Sequence, residues 1–327
     1  MLQYQLFYWI QNNKLLLKIA SPIKKFVKKR LEKQIRKHPL RRFNRLHKLY
    51  FGRELNLWPP KTLCEKFLWM EYATDVSQWR RLTDKVSVRD YIAGLGLEEY
   101  LPKVYHVLDE LPAFDDFVAL LPRQCVVKTS HSGGSEGVRV ISSKKDCNLA
   151  EVYNAMSKSM HDPYGERLGQ PHYTGIKPRL IIEEFLSNAE GDFAAPLDDY
   201  KFMCINGSPV VINAIGERDI KHHTFLDQYY NLDMELLPWE KQQCGKTVRK
   251  PKRLKEMVDL ANKLAKPFPF VRVDLYDTSR GIVFGELTFT PGFDFFIGTY
   301  GEKVLHMGES IDLSGQRQIN DIPREYL

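Results

Sequence analysis

Glu286 stands in the middle of the segment IVFGELTFT, whose other residues are typical of a half-buried β-strand. A carboxylate in such a strand is costly unless it is paired or coordinates a metal ion. A second carboxylate, Asp274, lies in the preceding segment FVRVDLY, and the turn residues DTSRG between the two segments predict a hairpin. The simplest register places Asp274 opposite Phe284 and diagonal to Glu286, within reach of a shared ion.

Two interpretations of this pair remain open. A Mg²⁺ ion between Asp274 and Glu286 would remove the repulsion between the two carboxylates and orient the oxygens of a triphosphate. Alternatively Arg272, which the same register places directly opposite Glu286, forms a cross-strand ion pair with it. The hairpin alone favours neither interpretation.

A glycine-rich loop forms the second candidate feature. In VVKTSHSGGSEGVRVI, Lys128 ends an apolar strand, the loop covers 130–137, and another strand follows at once. The segment has no GK[ST] sequence and no helix after the glycines, so it is neither a Walker A loop nor a dinucleotide fingerprint. It predicts a hairpin flap whose backbone N–H groups close over phosphates while Lys128 supplies a charge. A mobile turn without a ligand is the alternative.

The third feature is a pair of strands that carry charged residues. RLIIEEFL predicts a strand that ends in Glu183 and Glu184, and the strand DYKFMCI places Asp199 and Lys201 on one face. Together they would form the far wall of a nucleotide cleft. Each residue taken singly is more often a solvated surface residue than a ligand, so the order of the three features along the chain is the informative observation.

These features require an α+β scaffold. Residues 62–100 are predicted to be helical, with an end near Gly94, and a short strand is predicted over 104–108. From residue 124 onwards the sequence consists of short β-type segments, with helices predicted at about 149–160 and 252–266. This pattern indicates a largely antiparallel sheet.

The charge is distributed unevenly along the chain. Residues 14–53 contain 15 Lys and Arg and one acidic residue, whereas the remainder contains 33 basic and 40 acidic residues. Ser21-Pro22 begins a predicted basic amphipathic helix that His38-Pro39 interrupts, and a second short piece contains Leu40 and Phe43. This arm would lie on an anionic membrane surface, or its apolar stripe would pack on the body of the protein. Both interpretations remain open.

Composition excludes several classes of protein. With 327 residues, 43% of them hydrophobic, the chain is predicted to form one enzyme-sized unit or two joined domains. Its five scattered cysteines predict neither a disulfide framework nor a zinc site. The sequence has no apolar run of membrane-spanning length, and its opening segment does not have the order of a signal peptide, so we expect a cytoplasmic location.

Six segments, in this order, resemble the TupA-like branch of the ATP-grasp enzymes, which is named for teichuronopeptide biosynthesis: LTDKVSVRDY, VVKTSHSGG, KPRLIIEEFL, DYKFMCINGSP, KPFPFVRVDLYD and FGELTFTPG. The resemblance runs from about residue 60 to the end. It implies an ATP-grasp fold, in which two α+β subdomains with antiparallel sheets clasp ATP. We expect a helical N-terminal region to precede this fold, together with the basic amphipathic arm, which lies outside the resemblance.

The charge distribution and the resemblance together give the expected domain boundaries. A basic helical arm covers 1–53, a helical region precedes the catalytic part over 54–115, and the ATP-grasp catalytic domain covers 116–327. Within the catalytic domain, a lid covers about 116–186 and a metal-binding subdomain about 187–327.

The resemblance also implies a nucleotide site between the two subdomains. Lys128 would contact the nucleotide from the first flap strand, and the loop over the phosphates would consist of His131, Ser132, Gly133 and Gly134. Glu183 would accept a hydrogen bond from the adenine amino group. The hinge backbone beside it would comprise Glu184, Phe185 and Leu186.

On the opposite wall, the resemblance implies that Asp199 meets the ribose and Lys201 the phosphates. Lys201 and Arg218 are the expected catalytic residues, with Arg218 at the transferred phosphate. The expected ligands of two Mg²⁺ ions are Asp274, Glu286 and Thr288. Thr288 is the weakest of these ligands because the wider superfamily has asparagine there, and an amide oxygen binds a metal ion better than a hydroxyl does.

The implied activity is that of an ATP-dependent ligase. It would transfer the γ-phosphate to a carboxylate and let an amine attack the acyl phosphate, which gives an amide, ADP and phosphate. The expected substrates are a sugar acid or glycan acceptor and an amine such as an amino acid, in surface polysaccharide biosynthesis, and the arm would hold the enzyme peripherally at the inner face of the membrane. Two alternatives are a phosphotransferase acting on a sugar or glycan and a non-catalytic binder of anionic polymers. Nucleic acid ranks last as a partner, because the body is acidic and has no platform of interleaved aromatic residues.

Overall fold

Two antiparallel β-sheets organise the computed structural model. It describes residues 33, 35–134, 137–190, 195–219, 224–238, 245–291 and 306–322. Every strand pairing within these ranges is antiparallel, as the sequence predicts. None of the helices described has the length and apolar character that a membrane span requires.

The N-terminal part is helical. It contains α1 (Pro39–Phe51), α2 (Leu63–Ala73), α3 (Ser77–Thr83), α4 (Val88–Gly94) and a 3₁₀ turn at Glu98–Tyr100. Helix α2 begins with a capping box, in which the Thr62 side chain accepts from the backbone N–H of Glu65 and the Glu65 side chain accepts from that of Thr62. The helical region predicted over 62–100 is therefore confirmed as three helices and one turn.

The first sheet contains β1 (Val104–Leu108), β2 (Cys125–Thr129), β3 (Val138–Ile141) and β4 (Leu180–Glu184), in the spatial order β1-β4-β2-β3. The helices α5 (Phe114–Leu120) and α6 (Leu149–Met160) pack on one face, where Phe117, Val127 and Ile182 are wholly buried. Strand alternation turns Lys128 and Glu183 to the opposite face. A further short helix, α7 (Tyr164–Leu168), precedes β4.

The second sheet has the order β7-β6-β5-β8-β9. Its strands are β5 (Asp199–Ile205), β6 (Ser208–Asp219), β7 (Thr224–Tyr230), β8 (Phe270–Thr278) and β9 (Gly281–Thr288). One face of the sheet, with Phe202, Val273 and Leu275, belongs to the main core together with Leu260 and Leu264 of α8 (Leu254–Ala265). The opposite face carries the charged residues of the candidate site.

The connection after β4 ties the two sheets together. The backbone N–H of Ser279 donates to the carbonyl of Ser187 at 3.0 Å, and that of Ala189 donates to the carbonyl of Asp277 at 3.0 Å. Asn188 and Thr278 form an isolated β-bridge between these two bonds. The end of β4 is thereby fixed against the β8–β9 turn.

The β8–β9 hairpin is confirmed, but its predicted register was wrong. The turn is tighter than expected, since Thr278 pairs directly with Gly281, and a bulge between Asp274 and Leu275 shifts the register once more. Gly285 is the extra residue in the bulge, where an added Cβ would lie 2.9 Å from the Tyr276 ring and 3.0 Å from the carbonyl oxygen of Asp274.

The strands β1 to β6, β8 and β9 and the helices α6 and α8 lie where the sequence predicts them. Among the described strands and α-helices, three were not predicted, namely β7, α5 and α7. The strand β1 is an edge strand of the first sheet although it precedes the expected lid boundary at residue 116.

The second piece of the basic arm packs on the body. Leu40 and Phe43 of α1 are buried in one cluster with Leu57, Leu68 and Ile322. For this piece the structure therefore favours packing of the apolar stripe over its insertion into a membrane. Most of the preceding predicted helix, before residue 33, lies outside the described residues.

We predict that Leu40→Ala lowers the free energy of unfolding by about 2–5 kcal/mol, because it opens a cavity beneath α1. Arg45→Ala on the exposed side of the same helix is the control and should change stability by less than about 0.5 kcal/mol. Urea unfolding of both variants measures the difference. Equal, small effects would show that α1 does not pack on the body.

Candidate active site

A row of charged side chains crosses the open face of the second sheet. Lys201 of β5 pairs in register with Asp274 of β8, which in turn pairs with Glu286 of β9. Residues opposite each other in antiparallel strands point to the same face. The structure therefore brings together the two predicted carboxylates and the predicted lysine, with the carboxylates directly opposite each other and not diagonal.

Asp274 is the centre of this row. Its side chain accepts a hydrogen bond from Lys201 Nζ at 2.8 Å and two from Arg272, at 2.6 Å from Nε and 2.7 Å from Nη2. Only 1% of Asp274 is exposed. Burial raises the pKa of its carboxyl, but the charges of Arg272 and Lys201 outweigh burial and leave the pKa below its usual value.

The pKa values of the two cations, Lys201 and Arg272, depend on Asp274 in the same way. Burial disfavours the charge on Lys201, but Asp274 and Asp199 outweigh it and raise the pKa of Lys201. Burial likewise opposes the charge on Arg272, whose pKa the nearby Asp274 raises. All three groups are therefore held in their charged forms.

Glu286 is the more open carboxylate, with 29% of its side chain exposed. Its Oε1 accepts from Arg272 Nη2 at 3.0 Å and from the Thr288 hydroxyl at 3.1 Å. The ion pair between Arg272 and Glu286 that the sequence left open is thus present, although Arg272 stands opposite Thr288 in the register. Pairing with Arg272 is enough to accommodate Glu286 in its strand in this structure.

The donor set nevertheless fits Mg²⁺. Asp274, Glu286 and Thr288 offer hard oxygen atoms on one face, as Mg²⁺ prefers. The described residues contain no cluster of three His, Cys, Asp or Glu that could hold a metal ion by itself. Because Mg²⁺ is usually held by one or two carboxylates together with substrate phosphates and water, a pair of carboxylates is sufficient for an ion that arrives with a nucleotide.

A second cluster of charged side chains, centred on Asp199, lies beside Lys201 on the same face of the sheet. Asp199 accepts from Arg218 Nη2 at 2.5 Å and lies 3.6 Å from Lys201 Nζ. The negative charge of Asp199, which also accepts a hydrogen bond from Tyr276, raises the pKa of the Tyr276 hydroxyl. Arg218 also donates to the carbonyl of Leu197. Arg218 and Asp199 are thus brought together, and in this structure each satisfies the other.

The first sheet contributes a complementary pair. Lys128 Nζ and Glu183 Oε1 form an ion pair on the face opposite to the α5 and α6 core. Glu184 points elsewhere, since it accepts from the backbone N–H of Lys103 at 2.7 Å and lies 3.4 Å from Arg280. The remaining hinge residues, Phe185 and Leu186, follow β4 and are half-buried.

The glycine-rich loop is held by its own polar side chains. His131 is 4% exposed and its Nε2 lies 3.1 Å from the carbonyl oxygen of Asp162, while the Ser132 hydroxyl lies 2.7 Å from that of Thr129. These two side chains point into the protein, so the groups that the loop can offer to a phosphate are mainly backbone N–H groups. Gly134 has a φ of +61°, which favours glycine.

Lys85 is a further candidate for the site, which the sequence analysis did not single out although it quoted the segment LTDKVSVRDY. Its Nζ donates to the carbonyl of Ser132. Burial lowers the pKa of Lys85, while the nearby charge of Glu286 raises it and that of Lys128 lowers it further. Charged groups of both sheets are therefore close enough to Lys85 to affect its pKa. The sequence signal that could have identified Lys85 is a lysine that follows one partly buried helix, α3, and precedes another, α4.

The chain is similar in sequence to one known protein family. The family model described as TupA-like ATPgrasp matches residues 65–311. No protein of curated function matches the chain.

Solved structures with a similar fold include three ligases and synthetases. D-alanyl-alanine synthetase A from Vibrio cholerae is 13% identical, with a TM-score of 0.41 over 72% of this chain and 67% of that chain. D-Alanine-D-alanine ligase from Helicobacter pylori is 14% identical, with a TM-score of 0.41 over 76% and 68%. N5-carboxyaminoimidazole synthetase from Staphylococcus aureus is 12% identical, with a TM-score of 0.45 over 76% and 56%. At these low scores, the family model carries the assignment.

We predict that Lys85→Met weakens binding of Mg-ATP about 10-fold to 100-fold, because a hydrogen-bonded cation beside the loop is lost. Lys158→Met, which removes an exposed lysine of α6, is the matched control and should bind as the wild type does. Isothermal titration calorimetry measures both affinities. Unchanged binding by Lys85→Met would place Lys85 outside the site.

Proposed function

The chain belongs to the TupA-like ATP-grasp family, whose model matches residues 65–311, and from this premise we propose that it is a carboxylate–amine ligase that forms amides through an acyl phosphate. Membership confirms the predicted ATP-grasp fold and the prediction of an ATP-dependent ligase. The residue roles, the ions and the substrates given below are our proposal.

The observation that carries this proposal is the convergence of charges from two sheets. Lys128 from the first sheet, Lys201 from the second and Lys85 from the helical region all lie near the carboxylates of the site. A triphosphate needs several cations close together, and a metal-binding nucleotide also needs carboxylates beside them. A site for a neutral glycan would need neither the carboxylate pair nor this number of lysines.

The adenine would lie against the open face of the first sheet. Val107, Val126 and Val140 alternate onto the face that carries Lys128 and Glu183, and Val107 and Val140 are exposed. Apolar side chains with a few polar groups beside them are typical of sites for a flat ring. In the proposed site Glu183 accepts a hydrogen bond from the adenine amino group, and Lys128 turns from Glu183 towards a phosphate.

In the proposed mechanism the protein supplies position and charge. Mg²⁺ held by Asp274 and Glu286, with Thr288 beside them, would neutralise the phosphate oxygens and polarise the transferred group. Lys201 and Arg218 stabilise the negative charge that develops during transfer, and Lys85 holds the loop over the phosphates. The acceptor carboxylate attacks the γ-phosphorus, ADP leaves, and the amine then displaces phosphate from the acyl carbon to give the amide. No covalent bond to the protein is required.

We propose that the acid is a sugar acid or glycan and the amine an amino acid, in surface polysaccharide biosynthesis. The support for this choice is the resemblance to the TupA-like branch. Chromatographic nucleotide analysis after incubation with Mg-ATP, a panel of sugar acids and mixed amino acids tests it. ADP that appears only when acid and amine are both present supports ligation. ADP formed with a sugar alone would indicate a phosphotransferase, and AMP would exclude the acyl-phosphate route.

We predict that Glu286→Gln abolishes ADP formation while leaving the fold intact. The amide keeps the shape and the contacts of the side chain but loses the charge that would hold a metal ion. Circular dichroism and thermal melting check the fold. The control is Glu256→Gln on the exposed side of α8, which should turn over normally. Normal turnover by Glu286→Gln would overturn the metal assignment.

We also propose that the basic arm holds the enzyme at an anionic membrane surface. Arg36, Lys37 and Arg45 are exposed, whereas the apolar stripe of α1 packs inwards. The arm therefore presents charge without an exposed apolar face in its described part. Attraction of this kind is electrostatic and contributes about 1 kcal/mol for each basic residue near an acidic bilayer.

Replacing these three basic residues by glutamine is predicted to lower binding to liposomes that contain phosphatidylserine by about 100-fold. Flotation measures the bound fraction. Substitution is preferable to deletion of the arm, because deletion would uncover the cluster beneath α1. The control replaces three exposed lysines elsewhere, Lys158, Lys255 and Lys263. Equal losses in both variants would exclude a specific role for the arm.

A further inference from the structure

The segment 162–176, between α6 and β4, lies beside the site and is assigned no role above. Two of its tyrosines, Tyr164 and Tyr173, are 8% and 9% exposed, and their rings pack edge to face at 5.0 Å between centroids. Both hydroxyl groups lie against the glycine-rich loop. A Cβ added at Gly133 would be 2.9 Å from the Tyr164 hydroxyl and 3.0 Å from the Tyr173 hydroxyl.

Tyr173 also lies close to the charged row of the second sheet. Burial raises the pKa of its hydroxyl, and the negative charge of Glu286 raises it further while Arg272 opposes this effect. The hydroxyl therefore lies against Gly133, and the charge of Glu286 is close enough to affect its pKa. A γ-phosphate covered by the loop and bound to a metal ion on Glu286 would occupy the same region.

The hydroxyl of Tyr173 is available to a ligand. It makes no hydrogen bond to another residue within the described ranges. The same oxygen is not completely enclosed by the described residues, so it keeps some accessible surface. An available donor in a largely buried ring is well placed to bind an anion with little loss of side-chain freedom.

Tyr173 is held in place from several directions. The neighbouring His172 is wholly buried, and its Nδ1 lies 2.9 Å from Oε1 of the buried Glu71. Gln170 donates to the Thr290 hydroxyl at 3.1 Å, just beyond β9. These contacts attach the segment to α2 and to the strand that carries Glu286. Such a supporting shell fixes the position of a binding group.

From this geometry we infer that the Tyr173 hydroxyl donates a hydrogen bond to the transferred γ-phosphoryl group of ATP. The inference rests on the proposed function, because it requires a nucleotide triphosphate in the cleft. Tyr173 would thus contact the transferred group directly. With its hydroxyl protonated throughout the neutral pH range, it acts only as a donor to the phosphoryl oxygens.

Tyr173→Phe tests this inference without knowledge of the acceptor. Calorimetry compares the affinities for Mg-ADP and for Mg-AMPPNP, which differ in the terminal phosphoryl group. We expect the variant to bind Mg-ADP as the wild type does and to bind Mg-AMPPNP about 10-fold more weakly. Tyr153→Phe is the matched control, because its hydroxyl donates to the carbonyl of Pro112, far from the charged row.

The possible results separate the inference from the proposed function. If Tyr173→Phe keeps the wild-type ratio of the two affinities, or weakens both ligands equally, Tyr173 has only a structural role and the inference is wrong. If the wild type binds neither nucleotide, both the inference and the proposed function are wrong.

A second measurement tests the inference if the Tyr173→Phe variant does not fold. A crystal structure of the wild-type protein with Mg²⁺ and AMPPNP should place the Tyr173 oxygen about 2.5–3.0 Å from a γ-phosphoryl oxygen. A clearly longer separation would overturn the inference. The position of the adenine in the same structure tests the proposed function independently.

Discussion

The buried carboxylate of Asp274, held between Lys201 and Arg272, is the interaction on which the rest of the site depends. Removing a charge from water is unfavourable, and it is tolerated here because two cations supply close hydrogen bonds. The register of three neighbouring strands provides this geometry, and the packing of α8 on the other face of the sheet fixes the strands. The fold thus keeps a carboxylate ionised in a dry site before any ligand arrives, and Glu286 beside it stays more open to solvent.

The remaining residues of the proposed site come from distant parts of the chain. The ion pair of Lys128 with Glu183 belongs to the first sheet, Lys85 to the helical region, and Tyr173 to the segment before β4. Backbone bonds between the β4 connection and the β8–β9 turn hold the two sheets together. In the proposed function, the valine-bearing face of the first sheet, the charged face of the second sheet and the glycine-rich loop would together hold a nucleotide triphosphate.

Local sequence patterns predicted the individual helices and strands better than they predicted the register between paired strands. Alternation in β8 and β9 identified the hairpin and the shared face of Asp274 and Glu286, but nothing in the composition of the turn revealed its two-residue length or the bulge at Gly285. Lys85 and Tyr173 escaped notice because a lysine near a helix and a tyrosine in a loop are usually surface and packing residues; only tertiary contacts turn them towards the site. For α1, the amphipathic pattern was compatible both with a membrane surface and with packing on the body of the protein. The burial of Leu40 favours packing.

We propose that the carboxylate pair of Asp274 and Glu286 binds a metal ion together with a nucleotide. The most direct test is the affinity for ADP, measured by calorimetry in excess Mg²⁺ and again in excess EDTA, for the wild type and for Glu286→Gln. We predict that Mg²⁺ strengthens ADP binding in the wild type and that this coupling is lost in the variant, whose metal-free affinity is unchanged. Equal affinities with and without Mg²⁺ in the wild type would contradict it, because the carboxylates would then serve only as partners of Arg272 and Lys201.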